Sequence, residues 1–150
     1  MARYYEDYEI GQVLVHQPSR TVTETDNTLF CAITMNPQPL HLDYEFAKTT
    51  FHGKPVVNGM YTLSLSLGLS VHDTTLGATL GNLGFSEIAF PKPVFLGDTI
   101  TAETVIRSKR LSRSRPGAAV VEFEHHARNQ NGEVVVTCVR SGLIMCRPAQ

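Results

Sequence analysis

The stretch "VVNGMYTLSLSLGLSV", residues 56–71, decides the fold. Its apolar residues recur three or four positions apart, as they do along an α-helix, but Leu65 and Leu69 fall on another side. A helix that is apolar around most of its circumference belongs in the centre of a protein. At 16 residues, interrupted by polar residues and glycines, it is shorter than the ~20 residues needed to cross a bilayer. The sequence therefore predicts a long central helix over roughly 56–71.

The pattern changes to that of β-strands after residue 76. Apolar side chains alternate with polar ones in "TITAETVI" (99–106) and "AAVVEFEHHAR" (118–128), and "EVVVTCVRSGLIM" (133–145) is a β-branched run. Asn131-Gly132 is a strong hairpin signal, and "FLGDTI" (95–100) is typical of another turn. No crossover helices separate these strands. We therefore expect an α+β fold, with one curved antiparallel sheet wrapped around the central helix.

Two short helices are predicted before the central one. Thr23 or Thr25 can cap a helix that ends before Pro37 and Pro39, and Asp43 can cap a second helix that starts in "DYEFAKTT". No repeat or linker divides the chain, so residues 1–150 are expected to form one domain.

Composition narrows the classes of partner. The formal net charge is −1, which argues against nucleic acid or an anionic membrane as the main partner. Charged residues make up 18% of the chain, below the usual ~25%, which favours self-association. The N-terminus does not resemble a signal peptide. Cys31, Cys138 and Cys146 form no CxxC pair and are expected to be reduced thiols in a cytoplasmic protein.

The candidate chemistry lies in "TMNPQPLHLD", residues 34–43. Pro37 and Pro39 predict a stiff, extended path leading to His41. A histidine suits proton transfer because its unperturbed pKa, ~6.5, lies near neutral pH. A lone histidine is more often structural, so its surroundings decide the interpretation.

Those surroundings resemble the MaoC-like dehydratase branch of the hotdog fold, which includes the (R)-specific enoyl-CoA hydratases. The resemblance rests on "NPQPLHLD", "VVNGMYTLSL" and "FPKPVFLGDTI" in that order, and it covers nearly the whole chain. "SRSRP" and "VNGMYTLSL" are similar to the mesaconyl-CoA hydratase-like members, which act on small branched dicarboxylic acyl-CoAs.

The resemblance implies a reversible hydration of a 2-enoyl-CoA thioester in a hotdog domain. His41 would move the protons, and the backbone N–H of Gly59 would stabilise the enolate-like thioester oxygen. Gln38 and Asn58 would contact the substrate, although Asn58 can instead cap the central helix. Coenzyme A would arrive as part of the substrate, and no nicotinamide, flavin or metal is implied.

One position departs from the family pattern. The family places an acid five residues before the histidine, but this chain has Asn36, which cannot act as a base. We expect Asn36 to orient the water while His41 carries out one or both proton transfers. Asp26, Asp43 and Glu45 are the alternative proton carriers.

Two further features are open to more than one interpretation. The basic run "RSKRLSRSRPGA" (107–118) is either a solvated hairpin or a contact for coenzyme A phosphates or a substrate carboxylate through Arg113 and Arg115. His52 either lines the acyl pocket or, as we expect, is exposed. His125 and His126 point to opposite faces of a strand, so no metal site is predicted.

The edges of a single sheet predict at least a homodimer, with the acyl-CoA site at its interface. Two other functions remain open from the sequence: a hotdog acyl-CoA thioesterase, and a non-catalytic acyl-CoA-binding module.

Overall fold

The computed structural model describes residues 2–148. A 3₁₀ turn at Tyr5–Asp7 comes first, followed by ten elements: β1 (Val13–Val15), β2 (Arg20–Thr21), α1 (Glu24–Ile33), α2 (Pro39–Leu42), α3 (Tyr44–Lys48), α4 (Gly59–Thr74), β3 (Thr79–Ala89), β4 (Thr99–Leu111), β5 (Ala118–Arg128) and β6 (Val134–Met145). The predicted α+β architecture is confirmed. The two short N-terminal strands were not predicted.

The strands form one antiparallel sheet in the order β1-β4-β5-β6-β3, and β2 pairs with the start of β4. Irregularities in the β3–β6, β4–β5 and β5–β6 pairings bend the strands, and α4 packs against β4, β5 and β6. The predicted alternation along β4 and β5 is confirmed, because buried residues alternate with more exposed ones over much of both strands. The residues buried on β4 are Ile100, Ala102, Thr104 and Ile106, and those on β5 include Ala119, Val121 and Phe123.

The central helix begins three residues later than the sequence pattern predicted. Val57 is held in extended backbone because its N–H donates to the Val94 carbonyl, and Val56 forms a bridge with Phe95. Asn58 then caps the helix by accepting the Met60 N–H at 3.0 Å. The predicted range of 56–71 is therefore corrected to Gly59–Thr74.

The short helices begin where their caps predicted. Thr23 accepts the Asp26 N–H at the start of α1, and Asp43 accepts the Phe46 N–H at the start of α3. The predicted extended path to His41 was wrong, because Pro39 starts the one-turn helix α2, in which His41 lies. Proline is well suited to this first helical position because its missing N–H would have no helical acceptor there.

A chain of buried polar side chains crosses the sheet beneath α4. His16 Nδ1 lies 2.8 Å from Asp73, and its Nε2 lies 2.7 Å from the Thr104 hydroxyl. That hydroxyl lies 2.8 Å from His125 Nδ1, and Arg140 Nε donates to His125 Nε2 at 2.9 Å. Hydrogen bonds can be donated in one direction along these groups, from Arg140 to His125, from His125 to Thr104, from Thr104 to His16 and from His16 to Asp73. This series connects the buried guanidinium to the Asp73 carboxylate.

The charge states of His125 and Asp73 are consistent with donation from Arg140 toward Asp73. Burial, reinforced by the positive charge of Arg140, lowers the pKa of His125 to about 3, so its ring is neutral and can accept from Arg140. The hydrogen bond from His16 lowers the pKa of Asp73, so that carboxyl is ionised. This series of hydrogen bonds thus links the buried Arg140 guanidinium to the Asp73 carboxylate through the side chains of His125, Thr104 and His16.

Strand β3 is almost entirely exposed, and its edge away from β6 has no partner strand among the described residues. Leu80, Leu83, Phe85 and Ile88 are all exposed along it. No helix within residues 2–148 is both long and apolar enough to cross a membrane.

Candidate active site

A small cavity of about 270 Å³ lies where α2, the start of α4 and the segment after β3 meet. Its lining consists of His41, His52, Val56, Val57, Gly59, Thr62, Phe90, Lys92, Pro93, Val94 and Val135. A larger hollow of about 730 Å³ lies beside Asp73, but Arg3, Asp7 and Arg147, which border it, already bond to each other or to nearby groups. The smaller cavity combines a histidine with a helix N-terminus, and it is the candidate active site.

His41 is held in one tautomer by the backbone. Its Nδ1 lies 2.7 Å from the Val56 carbonyl oxygen, which can only accept a hydrogen bond, so Nδ1 carries the hydrogen. In the neutral ring, Nε2 is then the basic nitrogen, and it has no hydrogen-bond partner among the described residues. This arrangement leaves His41 able to accept a proton from a molecule in the cavity.

Asn27 fixes the position of His41 relative to the central helix. This buried side chain of α1 donates from Nδ2 to the His41 carbonyl at 3.0 Å and accepts the Asn58 N–H with Oδ1 at 2.9 Å. Asn27 was not predicted from the sequence. An amide in the middle of a short helix, between Asp26 and apolar residues, was the available signal, because buried amides need specific partners.

Gly59 is the first residue of α4, so no carbonyl of its own helix can accept its N–H. The Asn58 side chain accepts the N–H of Met60 instead. A Cβ at position 59 would lie 3.2 Å from the Phe90 ring, so glycine keeps this corner of the cavity open. The N–H and the helix dipole together favour an oxygen that carries negative charge.

Asn36 and Gln38 do not line the cavity. Asn36 Oδ1 accepts the Gln38 N–H at 3.0 Å, which closes a local turn before α2. Asn58 is buried beneath the cavity as the cap of α4 and does not line it either.

The three acids considered as proton carriers are engaged elsewhere. Asp26 closes the capping box of α1 and pairs with Arg20, Asp43 caps α3, and Glu45 pairs with Lys48. Within residues 2–148, none of the side chains lining the cavity is acidic, whereas Lys92 and two histidines are present. His52, which we expected to be exposed, is half-buried against this cavity.

Arg113 and Arg115 lie away from His41. They are exposed on the β4–β5 hairpin and border a separate hollow with Leu83 and Arg110. His125 is buried, whereas His126 is half-exposed and bonds Glu124, so the two rings do lie on opposite faces. In the described part of the chain, no three His, Cys, Asp or Glu side chains are placed to hold a metal ion.

The fold and this site define the class of protein, a hotdog domain in which a histidine of α2 shares a cavity with the start of the central helix. A Mycobacterium tuberculosis protein described as having a double hotdog fold superposes with a TM-score of 0.88 over 99% of this chain and 46% of its own. At 19% identity, that likeness concerns the fold alone.

The chain belongs to the MaoC like domain family, whose model matches residues 6–127. It is 36% identical to a mesaconyl-CoA hydratase of Cereibacter sphaeroides, over 92% of this chain and 40% of that protein. It is 34% identical to an (R)-specific enoyl-CoA hydratase of Aeromonas caviae, over 70% of this chain and 75% of that protein. A structure described as a monoamine oxidase regulatory protein from Archaeoglobus fulgius is 36% identical, with a TM-score of 0.89 over 98% of this chain and 97% of that one.

The chain spans about two fifths of the length of the mesaconyl-CoA hydratase that it matches. The match to the family model and the superposition establish the family and the fold of this chain.

Proposed function

We propose that this protein catalyses the reversible hydration of a 2-enoyl-CoA thioester. One observation carries the proposal: the tautomer-fixed His41 and the N-terminal Gly59 of α4 line the same small cavity. The first supplies a base and the second supplies a hydrogen-bond donor for a developing oxyanion. The hydratases among its relatives support the same reaction.

In this mechanism, the thioester oxygen accepts the Gly59 N–H. His41 Nε2 takes a proton from water as the water oxygen bonds to Cβ, and the C=C electron pair moves to form an enolate-like thioester. The same nitrogen then returns the proton to Cα on that face, so one water adds across the double bond. The reverse sequence is the dehydration.

His41 carries both proton transfers in this proposal because no carboxylate lines the described cavity. Asn36 fills the family's acid position, and its Oδ1 already accepts the Gln38 N–H. A role of Asn36 in orienting water would use its Nδ2 donor or the second lone pair of Oδ1, and substitution by aspartate tests this role. The chemistry itself requires no nicotinamide, flavin or metal.

We propose that the substrate is a short acyl-CoA that is branched or dicarboxylic, like mesaconyl-CoA. A cavity of about 270 Å³ suits a small acyl group, and its basic lining favours an anionic one. The similarity to a mesaconyl-CoA hydratase points the same way.

We further propose that two copies pair through the exposed edge of β3, which would form one continuous sheet. In such a two-fold antiparallel pair, the start of one β3 lies beside the end of the other. The β4–β5 hairpin lies at the Thr79 end, because Thr79 pairs with Ile144, Ile144 with Ala119, and Ala119 with Leu111. Phe90, which lines the cavity, follows the opposite end of β3.

Pairing would therefore bring the hairpin of the second copy toward the end of the sheet where this chain's cavity opens. Arg113 and Arg115 of the second copy could then bind the phosphates of coenzyme A, as the basic run suggested. Free thiols at Cys31, Cys138 and Cys146 fit a reducing compartment, and we propose a cytoplasmic location.

The proposal is tested by incubating the purified protein with crotonyl-CoA and with mesaconyl-CoA. Loss of enoyl absorbance without release of free thiol is the expected result. Thiol release without enoyl loss would identify a thioesterase. Tight binding with neither signal would identify a binding module and would overturn the hydratase proposal.

A further inference from the structure

Thr62 presents a buried hydroxyl that has no hydrogen-bond partner in the described structure. The residue is 2% exposed and lies on α4, one turn after Gly59. It lines the cavity that also contains His41 and Gly59. Burying a hydroxyl without a partner destabilises a protein, so its presence at this position needs a reason.

Other hydroxyls on the same helix show that a partner is readily available. Ser64 donates to the Met60 carbonyl at 2.8 Å, Ser70 to Leu67 at 2.7 Å, and Thr74 to Ser70 at 2.6 Å. Serines and threonines in helices commonly close onto a preceding carbonyl in this way. Thr62 and Ser66, in contrast, leave their buried hydroxyls without a partner in the described structure. Of these two residues, Thr62 lines the cavity and Ser66 does not, so a ligand in the cavity is a candidate partner for the Thr62 hydroxyl.

The charge of the cavity indicates the chemistry of that ligand. His52 and Lys92 line it, and no acidic side chain of residues 2–148 does so. A hydroxyl beside basic groups suits a carboxylate better than an apolar methyl group, because hydrogen bonds to charged acceptors are the stronger ones.

The spacing along α4 indicates which part of the substrate would meet the hydroxyl. Thr62 follows Gly59 by three residues, about 4.5 Å along the helix axis. A four-carbon acyl group can span this distance, so a thioester oxygen held at the Gly59 N–H allows the far end of the acyl chain to reach Thr62.

We infer that Thr62 is a specificity-determining residue, whose hydroxyl donates to a second carboxylate at the end of the acyl group. The inference rests on the proposed function and adds the residue that distinguishes a short dicarboxylic acyl-CoA from an apolar one.

Thr62→Val tests this inference because valine keeps the shape and removes the hydroxyl. We expect kcat/KM for mesaconyl-CoA to fall by about 10–100-fold relative to that for crotonyl-CoA, the range for losing a hydrogen bond to a charged group. The same variant should unfold at a higher temperature than the wild type, because an unpaired buried hydroxyl has been removed. Ser64→Ala, which alters an exposed hydroxyl of the same helix, should change neither the ratio nor the cavity.

A binding measurement separates failure of this inference from failure of the hydratase proposal. Succinyl-CoA and butyryl-CoA have four-carbon acyl groups without the reactive double bond, and titration calorimetry gives their Kd without catalysis. The wild type should bind succinyl-CoA more tightly, and Thr62→Val should abolish that preference. An unchanged preference in the variant, or none in the wild type, would overturn the role of Thr62 whatever the outcome of the hydration assay.

Discussion

Replacing Thr104 by valine should destabilise the protein far more than its modest change in size suggests. The Thr104 hydroxyl is fully buried and joins His16 Nε2 at 2.7 Å to His125 Nδ1 at 2.8 Å. Valine would leave His16 Nε2, an acceptor, and the His125 Nδ1–H, a donor, without partners. Each unpaired buried group costs about 1–3 kcal/mol, so we expect the two together to cost about 2–6 kcal/mol. This is a large share of the free energy of unfolding of a typical protein, about 5–15 kcal/mol.

Urea unfolding at pH 7.5 and a fixed protein concentration measures this loss, because self-association would otherwise shift the apparent stability. Thr101→Val is the matched control. It makes the same substitution on the same strand at an exposed position and should change the free energy of unfolding by less than about 0.5 kcal/mol. Thr104→Ser should recover most of the lost stability. A loss below about 0.5 kcal/mol in Thr104→Val would refute the view that this hydroxyl completes a polar chain.

The same series of buried polar side chains predicts how the free energy of unfolding depends on pH. The pKa of His125 is lowered from about 6.5 to about 3 in the folded protein, so below about pH 6.5 the unfolded chain binds more protons than the native one. The contribution of His125 to stability is therefore complete above about pH 6.5 and is lost as the pH falls toward 3. Asp73, whose pKa is lowered by His16, adds a loss of the same sign at acidic pH.

The remaining predictions concern activity and assembly. His41→Ala should lower kcat by at least about 100-fold while circular dichroism stays native, and near-normal turnover would exclude His41 as the base. Asn36→Asp should keep or raise the hydration rate if position 36 reaches the water, whereas an unchanged pH–rate profile would place Asn36 outside the mechanism. Arg113→Ala combined with Arg115→Ala should raise KM for the thioester about 3–10-fold at low salt, and less at high salt, because exposed charges are screened. Leu80→Lys should yield monomers in analytical ultracentrifugation, since lysine on an exposed edge strand opposes pairing, and an intact dimer would argue against assembly through β3.

Much of the fold could be predicted from the sequence because the signals are local. The period of "VVNGMYTLSLSLGLSV" predicted a buried helix, and two-residue alternation assigned the inner faces of β4 and β5 correctly. Side-chain caps at Thr23 and Asp43 marked helix starts within a few residues. His41 was singled out from its own segment, and that segment together with two later motifs also indicated the family.

The environment of each polar group depended on the tertiary structure. Val94, far along the chain, holds Val57 extended and so delays the start of α4 to Gly59. Asn27, which positions His41, looked like an ordinary polar residue of α1 until the fold brought His41 and Asn58 to its two ends.

The buried polar chain shows the same division between sequence and tertiary structure. Its members are at positions 16, 73, 104, 125 and 140, and no spacing in the sequence connects them. Periodicity and caps are set by neighbours a few residues apart, so the sequence by itself determined the helices, the faces of the main strands and the candidate histidine. The hydrogen-bond partner of a buried group is set by which strands lie side by side. Only the tertiary structure therefore decided how His16, His125 and Arg140 are paired, and that Thr62 lines the cavity with its hydroxyl unpaired.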